Sequence, residues 1–283
     1  MKQKISITLN EKVLRDVDSQ VDNIVIRNRS QAIEFLIQKS LKESKTAVIL
    51  AGENKDNKLM RVKNRYGLYI NHLTIIERAI KNLRDSGFKK IYIIATHNTL
   101  TNIFRILGDG SSYNVKIEFV KGEESEQGSA AALKLLRGEI KTTFMVVFCD
   151  IIFDDVNLDE LWQQHLKEKM VATLLLNSSV MPYKKERGRG LWGHVKLEGT
   201  KILSFIEKPT PPNMKSSLFF NGIFVAEPEI FRYEGGSLEL DIFQELVRRR
   251  LLGGQVSSAD YLHVHTLSDL REAKKKLYEK KRA

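Results

Sequence analysis

Short apolar runs alternate with segments of helical periodicity between residues 46 and 148. The runs predict strands at Thr46–Ala51, Ile91–Ala95, Lys116–Val120 and Phe144–Phe148. The intervening segments predict helices at His72–Ser86, Thr99–Leu107 and Ala130–Leu136. Strands that are apolar along their whole length are typical of parallel strands buried on both faces. The pattern therefore predicts an α/β fold with a doubly wound, mostly parallel sheet, which binds ligands at the carboxyl ends of its strands.

Length and composition favour a globular protein with two domains. A single hydrophobic core usually stops growing near ~250–300 residues, and this chain has 283 residues, of which 42% are hydrophobic and 29% are charged. The one cysteine, Cys149, lies in an apolar run and excludes an intramolecular disulfide, which favours a reduced thiol in the cytosol. No apolar stretch approaches the ~20 residues that span a bilayer, and the first residues lack a signal-peptide core. We expect a cytoplasmic protein.

The net charge of +11 is concentrated near the two ends of the chain. Residues 1–46 hold nine Lys and Arg against six Asp and Glu, and residues 271–283 hold seven against two. The middle of the chain is therefore close to neutral. This distribution is expected if one end contacts a polyanion. For the C-terminal run, a solvated final helix is the simpler alternative.

The first 44 residues predict a strand followed by two helices. Between Lys2 and Asn10 the side chains alternate: Ile5, Ile7 and Leu9 share one face, and Lys4, Ser6 and Thr8 share the other. Asn10 is expected to cap a helix from Glu11 to about Val21, and Ser30 to cap a second helix. So short a segment cannot close a core alone, so a partner chain is expected to complete it.

Residues 2–43 resemble the ribbon-helix-helix family of DNA-binding proteins, in which two chains pair their first strands. The resemblance implies a domain over residues 1–44, a homodimer or a dimer of dimers, and a ribbon in the major groove of DNA. Lys4, Ser6 and Thr8 would then face base edges. Arg29, Ser30 and Gln31, at the start of the second helix, would meet a phosphate. A dimerisation strand that does not contact DNA is the alternative.

The rest of the chain, residues 46–283, resembles the sugar-1-phosphate nucleotidyltransferases. The matching strings, in chain order, are Ala47–Gly52, Gly108–Ser111, Gln127–Leu133, Asp150, Trp192–Val195, Phe205–Pro209, Asn221–Val225 and Glu227–Phe231. No single string is decisive, but the ordered set implies the fold of that family, which makes nucleotide-sugars from a nucleoside triphosphate and a sugar phosphate.

This second resemblance implies a set of ligand-binding residues. They are Gly52, Gln127, Gly128, Ser129, Asp150, Glu207, Lys208, Asn221 and Gly222. Gly128 would let the backbone approach a nucleobase, and Asp150 would hold Mg²⁺. Glu207 would accept hydrogen bonds from sugar hydroxyls, and Lys208 would offer a charge to a phosphate. The alternatives are a surface ion pair for Glu207 and Lys208, and an ordinary turn carboxylate for Asp150.

Three departures from the family pattern weigh against catalysis. The stretch Gly52–Leu59 has lost two glycines of the triphosphate loop, carries Glu53 and Asp56 where a polyphosphate would lie, and is not followed by the family's Pro-Lys pair. His263 takes the place of a second metal-binding aspartate, and imidazole is a poor ligand for Mg²⁺. His263 and His265 share a strand face and suit Zn²⁺ or another soft metal, with packed histidines as the alternative. The basic stretch Lys184–Gly190 either overlies the pocket or is simply exposed.

These features together predict a DNA-binding transcriptional regulator. In this interpretation a ribbon-helix-helix dimer contacts double-stranded DNA, and the nucleotidyltransferase-like domain binds a nucleotide-sugar, nucleotide or sugar phosphate as effector. Phosphoryl transfer depends on positioning and charge neutralisation, so the departures predict weak or absent catalysis. The alternatives are an active sugar-1-phosphate nucleotidyltransferase that its first module dimerises, and a binding protein that uses neither DNA nor chemistry.

Overall fold

The structure is a computed structural model that describes residues 5–43, 45–52, 65–122, 128–178, 192–210, 216–264 and 267–280. The chain divides into two compact units, Met1–Ser44 and Lys45–Ala283. Among the described helices, none combines the length and the apolar character needed to cross a bilayer.

Two helices form the described part of the smaller unit: α1 is Glu11–Asp18 and α2 is Arg29–Glu43. The predicted cap of the first helix is confirmed, because the Asn10 side chain accepts a hydrogen bond from the backbone N–H of Val13 at 2.9 Å. The expected cap of the second helix is wrong. The Asn28 side chain, and not that of Ser30, accepts from the N–H of Gln31 at 3.0 Å, because α2 begins at Arg29, two residues earlier than a cap at Ser30 implies.

The described residues that precede α1, 5–10, are not in a strand. A β-ribbon requires hydrogen bonds from a second strand, and the described part of this single chain offers none to these residues. Ile5 and Ile7 are left 71% and 49% exposed. The ribbon therefore stays a prediction about a pair of chains.

Polar contacts fix the turn between α1 and α2. One carboxylate oxygen of Asp22 accepts from the backbone N–H groups of Ile24, Val25 and Ile26 at 2.8–2.9 Å. These bonds, with that from Ile24 the largest cause, lower the pKa of Asp22. The guanidinium of Arg29 also donates two hydrogen bonds to Asp18, at 2.6 and 2.9 Å, which joins the start of α2 to the end of α1.

The larger unit contains thirteen strands among its described residues. In chain order they are β1 Thr46–Leu50, β2 Tyr69–Ile70, β3 Leu73–Thr74, β4 Lys90–Ala95, β5 Lys116–Lys121, β6 Phe144–Phe148, β7 Ile151–Ile152, β8 Ala172–Ser178, β9 His194–Glu198, β10 Lys201–Ile206, β11 Leu218–Ala226, β12 Leu252–Ser257 and β13 Leu262–His263. Nine of them form one sheet in the order β5-β4-β1-β6-β11-β8-β12-β10-β9, while β2 pairs with β3 and β7 pairs with β13.

The expectation of a mostly parallel sheet holds for only one half of it. Strands β5, β4, β1 and β6 are parallel, as predicted, but β11 runs antiparallel to both β6 and β8. Beyond it, β8 and β12 are parallel, and β10 is antiparallel to both β12 and β9. Residues of β11 are apolar on both faces, so periodicity alone could not reveal the direction of this strand.

Helices cover the sheet. They are α3 Ile75–Asp85, α4 His97–Leu107, α5 Ser129–Lys134, α6 Leu158–Glu168, α7 Phe243–Arg248 and α8 Leu267–Lys280. α3 begins three residues later than predicted because Thr74 and Glu77 form a reciprocal capping box there. Two large apolar clusters contain alternate residues of β1: Ala47 and Ile49 belong to one, and Val48 and Leu50 to the other. This packing explains why the strand is apolar throughout.

A buried histidine supports the packing of α6. The two ring nitrogens of His165 lie 2.8 Å from the Thr173 hydroxyl and 3.1 Å from a carboxylate oxygen of Glu227. That oxygen also accepts from the Thr143 hydroxyl at 2.8 Å. Burial lowers the pKa of His165 below its usual value, although the Glu227 carboxylate opposes the shift.

This histidine predicts that the fold loses stability in mild acid. A histidine that is held neutral in the folded chain binds a proton more readily after unfolding, so its contribution falls as the pH drops below about 6.5. The free energy of unfolding, measured with denaturant between about pH 7 and pH 5, should fall more steeply for the native chain than for His165→Gln. Parallel curves for the two proteins would contradict this assignment.

Candidate ligand-binding site

The parallel strands end at one edge of the sheet, and two predicted ligand-binding residues follow them there. Leu50 of β1 lies opposite Phe148 of β6, so Gly52 and Asp150, two residues further on in each strand's direction, lie at the same edge. The Cys149 N–H donates to the Leu50 carbonyl at 3.1 Å. A Cβ on Gly52 would meet no described atom within 4 Å, so this glycine borders open space.

The short β7–β13 ladder places the backbone of His263 and Val264 alongside that of Ile151 and Asp150. His263 lies opposite Ile151, and the Val264 N–H donates to the Asp150 carbonyl at 2.9 Å. The imidazole packs against two aromatic rings, with centroid distances of 5.7 Å to Trp192 and 5.4 Å to Tyr261.

Asp150 is the residue at this edge that was predicted to hold Mg²⁺. No group of three or more His, Cys, Asp or Glu side chains that could hold a metal occurs within the described ranges. Mg²⁺ prefers oxygen ligands and is often held by one or two carboxylates together with substrate phosphates. Asp150 could therefore contribute to a Mg²⁺ site, whereas an imidazole at position 263 does not suit a second one.

Glu207 and Lys208 follow the end of β10 and form an ion pair with an N–O distance of 3.6 Å. The Lys208 N–H donates to the Trp192 carbonyl at 3.3 Å, and Lys208 has a positive φ of 46°. The two side chains differ in exposure: Glu207 is 16% exposed and Lys208 is 48% exposed. A Cβ on Gly193 would lie 2.9 Å from Oε2 of Glu207 and 2.2 Å from the Phe205 ring, so the glycine makes room for this carboxyl.

The Glu207 carboxyl is electrostatically unfavourable in its charged form. Burial is the largest cause, and the nearby Glu239 carboxylate adds to it, so the pKa of Glu207 is raised to about 7 despite the opposing charge of Lys208. Strongly shifted carboxyl groups in pockets are typical of functional sites, although structural ion pairs also produce such shifts.

Gly128 and Ser129 lie at the start of α5, and their contacts are within the protein. Gly128 has a φ of 125°, and a Cβ there would lie 2.1 Å from the Gly236 carbonyl oxygen. This close packing alone requires a glycine at position 128. From the sequence, the glycine was expected to make room for a nucleobase. The Ser129 hydroxyl donates to Glu239 at 2.7 Å and accepts from the Leu238 N–H at 2.9 Å. Gln127 lies outside the described residues.

Asn221 and Gly222 shape β11 where its register with β8 shifts. Asn221 is fully buried, donates to the Asn177 side chain at 2.8 Å and accepts from the Ile223 N–H at 3.2 Å. Gly222 has a φ of 92°, and a Cβ there would lie 3.3 Å from Cβ of Phe148. The structure thus places the Asn221 side chain in the core beside Asn177, and its predicted role in a sugar pocket stays a prediction.

The residues predicted to contact DNA all belong to the smaller unit. Lys4 is outside the described residues. Ser6 and Thr8 are exposed. Arg29, Ser30 and Gln31 are exposed at the start of α2, but the guanidinium of Arg29 is paired with Asp18, and the Gln31 side chain accepts from the Arg27 N–H at 2.7 Å. These two side chains therefore have partners within the chain.

Two features of the site were absent from the predicted set. Trp192 and Gly193 stand beside Glu207, and their string was recognised as a family match without a role. Glu239 belongs to no recognised string, and its apolar neighbours Leu238 and Leu240 gave no signal of a site.

Comparison with known proteins now identifies the larger unit. The model of the nucleotidyl transferase family matches residues 61–278. The chain therefore belongs to the nucleotidyl transferase family.

The curated relatives are distant. A UTP–glucose-1-phosphate uridylyltransferase from Synechocystis is 27% identical over 185 residues, which cover 61% of this chain and 46% of the relative. A bifunctional IPC transferase and DIPP synthase from Aquifex aeolicus is 26% identical over 247 residues, covering 82% of this chain and 51% of the relative. The chain thus spans about half the length of each of these relatives.

Solved structures support the same fold. A protein from Bacillus anthracis described as a glucose-1-phosphate thymidylyltransferase, in complex with sucrose, has a TM-score of 0.69 and 22% identity, covering 82% of this chain and 94% of its own. A UDP-glucose pyrophosphorylase complexed with UDP-glucose has a TM-score of 0.68 and 15% identity, covering 83% and 99%. At these identities the likeness establishes the nucleotidyltransferase α/β fold.

The raised pKa predicts that Glu207 destabilises the folded chain at neutral and alkaline pH. A carboxyl with a raised pKa keeps its proton when folded and loses it when unfolded, so stability falls as the pH rises from about 4.5 to about 7. Because a tenfold change in proton affinity is worth about 1.4 kcal/mol, Glu207→Gln should stabilise the chain at pH 8 by at most about 3 kcal/mol, and less at pH 5. Denaturant unfolding at both pH values measures the difference.

Glu229→Gln is the matched control, since Glu229 is exposed and does not contribute to the shifted pKa of Glu207. If Glu207→Gln had a lower free energy of unfolding than the native chain at pH 8, the charged Glu207 carboxylate would not destabilise the fold, and the prediction would be wrong.

Proposed function

We propose that this chain is a DNA-binding regulator whose nucleotidyl transferase domain binds a nucleotide-sugar, nucleotide or sugar phosphate as effector. The N-terminal unit, residues 1–44, is in this proposal a ribbon-helix-helix module that pairs two copies of the chain on duplex DNA. The domain that follows, residues 46–283, supplies the ligand pocket.

The observation that carries the ligand-binding half of this proposal is the pair formed by Glu207 and Lys208 at the end of β10. A mostly buried carboxyl with a raised pKa, held at 3.6 Å from a half-exposed ammonium, offers an acceptor for hydroxyls and a charge for a phosphate. The relatives agree with this chemistry: one is named for UTP and glucose 1-phosphate, and one solved structure is complexed with UDP-glucose.

Exposed apolar side chains in the N-terminal unit support the dimeric half of the proposal. Ile5 and Ile7, on the predicted strand, lie outside any core, and Val17 and Ala32 are the buried hydrophobic residues among the described ones of this unit. A second copy would cover the exposed pair by forming the antiparallel ribbon. Nine Lys and Arg against six Asp and Glu in residues 1–46 suit a polyanionic partner.

An active nucleotidyltransferase is the second candidate, and the family match over residues 61–278 favours it. Asp150, Glu207 and Lys208 are retained by comparison with the family pattern. Against it stand the histidine at position 263, where the family pattern has a metal-binding aspartate, and two carboxylates, Glu53 and Asp56, in the stretch that should receive a triphosphate. The stretch 53–64 lies outside the described residues, so the second argument rests on sequence alone.

UDP-glucose binding tests the ligand pocket. We expect the full-length chain to bind UDP-glucose in calorimetry, and Lys208→Met to weaken this binding roughly tenfold, because a hydrogen bond to a charged group contributes about 1.5–3 kcal/mol. Lys196→Met, at an exposed position of β9, is the matched control and should leave the affinity unchanged. Equal affinities for all three proteins would remove Lys208 from the site.

The same preparations distinguish the regulator from the enzyme. Mixtures of nucleoside triphosphates, sugar 1-phosphates and Mg²⁺ should release no more pyrophosphate than the protein-free control. Turnover that Asp150→Ala abolishes would establish the second candidate instead.

DNA binding is tested by site selection with the full-length chain. We expect inverted-repeat sites, affinity that falls with salt, and relaxed sequence preference in Lys4→Ala, since a contact to a base edge discriminates by about 1–3 kcal/mol. Lys12→Ala, at an exposed position on α1, also removes one positive charge and should keep the sequence preference of the native chain. Identical losses on selected and random duplexes in both variants would contradict the groove assignment.

A further inference from the structure

The segment between Gly235 and Gln244 contacts the predicted nucleobase-binding loop directly. The Gly236 carbonyl accepts from the N–H groups of Ala130 and Ala131 at 2.9 and 3.1 Å, at the start of α5. The segment is itself held in shape by Asp241, whose carboxylate accepts from the N–H groups of Gly236 and Ser237 at 2.8 and 2.9 Å.

Glu239 lies in this segment and has its carboxylate fixed by two hydroxyls. Its Oε2 accepts from Ser129 at 2.7 Å and from Ser237 at 2.9 Å. Ser129 is one of the residues predicted to bind the ligand. The position of the Glu239 carboxylate is therefore tied to the start of α5.

The same segment is also joined to β10, the strand that Glu207 follows. The Gln244 side-chain amide donates to the Phe205 carbonyl at 2.8 Å and lies 3.4 Å from the Glu239 carbonyl. Phe205 lies in β10, two residues before Glu207 in the sequence, and its ring packs against Phe243 at 5.4 Å. Glu239 is thus connected to both predicted halves of the pocket, which are far apart in sequence.

Glu239 also acts on Glu207 electrostatically. Among the described residues, the charged side chains that act on the Glu207 carboxyl are Glu239, which disfavours its ionisation, and Lys208, which favours it. Gly193, packed against the same carboxyl, adds no charge. Glu239 is therefore placed to influence both the geometry of Ser129 and the proton held by Glu207.

We propose that Glu239 is a positioning residue of the ligand pocket, which couples the Gly128–Ser129 loop to the Glu207–Lys208 pair. That the coupled groups bind a ligand rests on the proposed function, but the coupling itself is a property of the ligand-free chain. A ligand that spans both halves, such as a nucleotide-sugar, would meet them in one fixed arrangement.

The proton on Glu207 provides a test that needs no ligand. The carboxyl carbon of Glu207, labelled with ¹³C and assigned by comparison with Glu207→Gln, reports its ionisation by NMR as the pH is raised. In Glu239→Gln, which keeps the shape of the side chain and removes its charge, the midpoint should move to lower pH by a few tenths of a unit or more. Glu229→Gln, at an exposed position, should leave the midpoint unchanged.

An unchanged midpoint in Glu239→Gln would overturn the proposal, because a purely structural role for Glu239 does not require any effect on Glu207. Ser129→Ala is the second variant, in case Glu239→Gln does not fold. It removes a hydroxyl that holds the Glu239 carboxylate and should also shift the midpoint; no shift in this variant would equally count against the coupling.

Binding measurements with a whole ligand and its two fragments distinguish the coupling by Glu239 from the proposed function. UDP-glucose spans the pocket, whereas UMP and glucose 1-phosphate each fill one half. Glu239→Ala should weaken UDP-glucose roughly tenfold more than either fragment, because linked groups gain affinity only when both halves are held in register. Equal losses for all three ligands would contradict the coupling. If the native chain binds none of the three, the proposed function fails while the NMR titration still decides the role of Glu239.

Discussion

A carboxyl group buried at the end of a strand constrains the whole site. Glu207 follows β10, lies against Gly193, and faces one ammonium and one further carboxylate, so that its pKa is raised to about 7. Keeping an ionised group out of water costs stability unless its partners compensate, and here the only described charge that favours ionisation is that of Lys208. Folds retain such groups mainly where a ligand uses them. The glycine at position 193 makes room for this carboxyl, and the Glu239 carboxylate adds to the cost of ionising it.

The two units of the chain differ in how completely their apolar side chains are buried. In the larger unit, β1 is covered on both faces, and the ends of β1 and β6 then place Gly52 and Asp150 at one edge of the sheet. The smaller unit has two capped helices, a turn fixed by Asp22 and exposed isoleucines that precede α1. Hydrogen bonds hold the turn between its two helices. The apolar side chains of Ile5 and Ile7, by contrast, are not covered by described residues of the unit. In the proposed function, this difference assigns ligand binding to the larger unit and the pairing of two chains to the smaller one.

Sequence alone predicted the elements that depend on local patterns. The strand at Phe144–Phe148 and the cap at Asn10 agree with the structure, because apolar runs and side-chain caps act within a few residues. The antiparallel direction of β11 could not be predicted, since a strand buried on both faces looks the same in either direction. The burial of Asn221 beside Asn177 and the link from Ser129 to Glu239 join residues that are 44 and 110 positions apart. Such contacts follow from the tertiary fold, and no spacing in the sequence indicates them.

The proposed function joins a ligand-binding domain to a DNA-binding module, and this has a thermodynamic consequence. If the ligand alters the affinity for DNA, DNA must alter the affinity for the ligand by the same factor. The most direct measurement is therefore the affinity of the full-length chain for its selected duplex, at fixed salt, without and with saturating UDP-glucose, together with the reciprocal titration. We expect the two affinities to change by one common factor of roughly 5 to 150, equivalent to about 1–3 kcal/mol. A duplex affinity that is identical with and without bound UDP-glucose would contradict it.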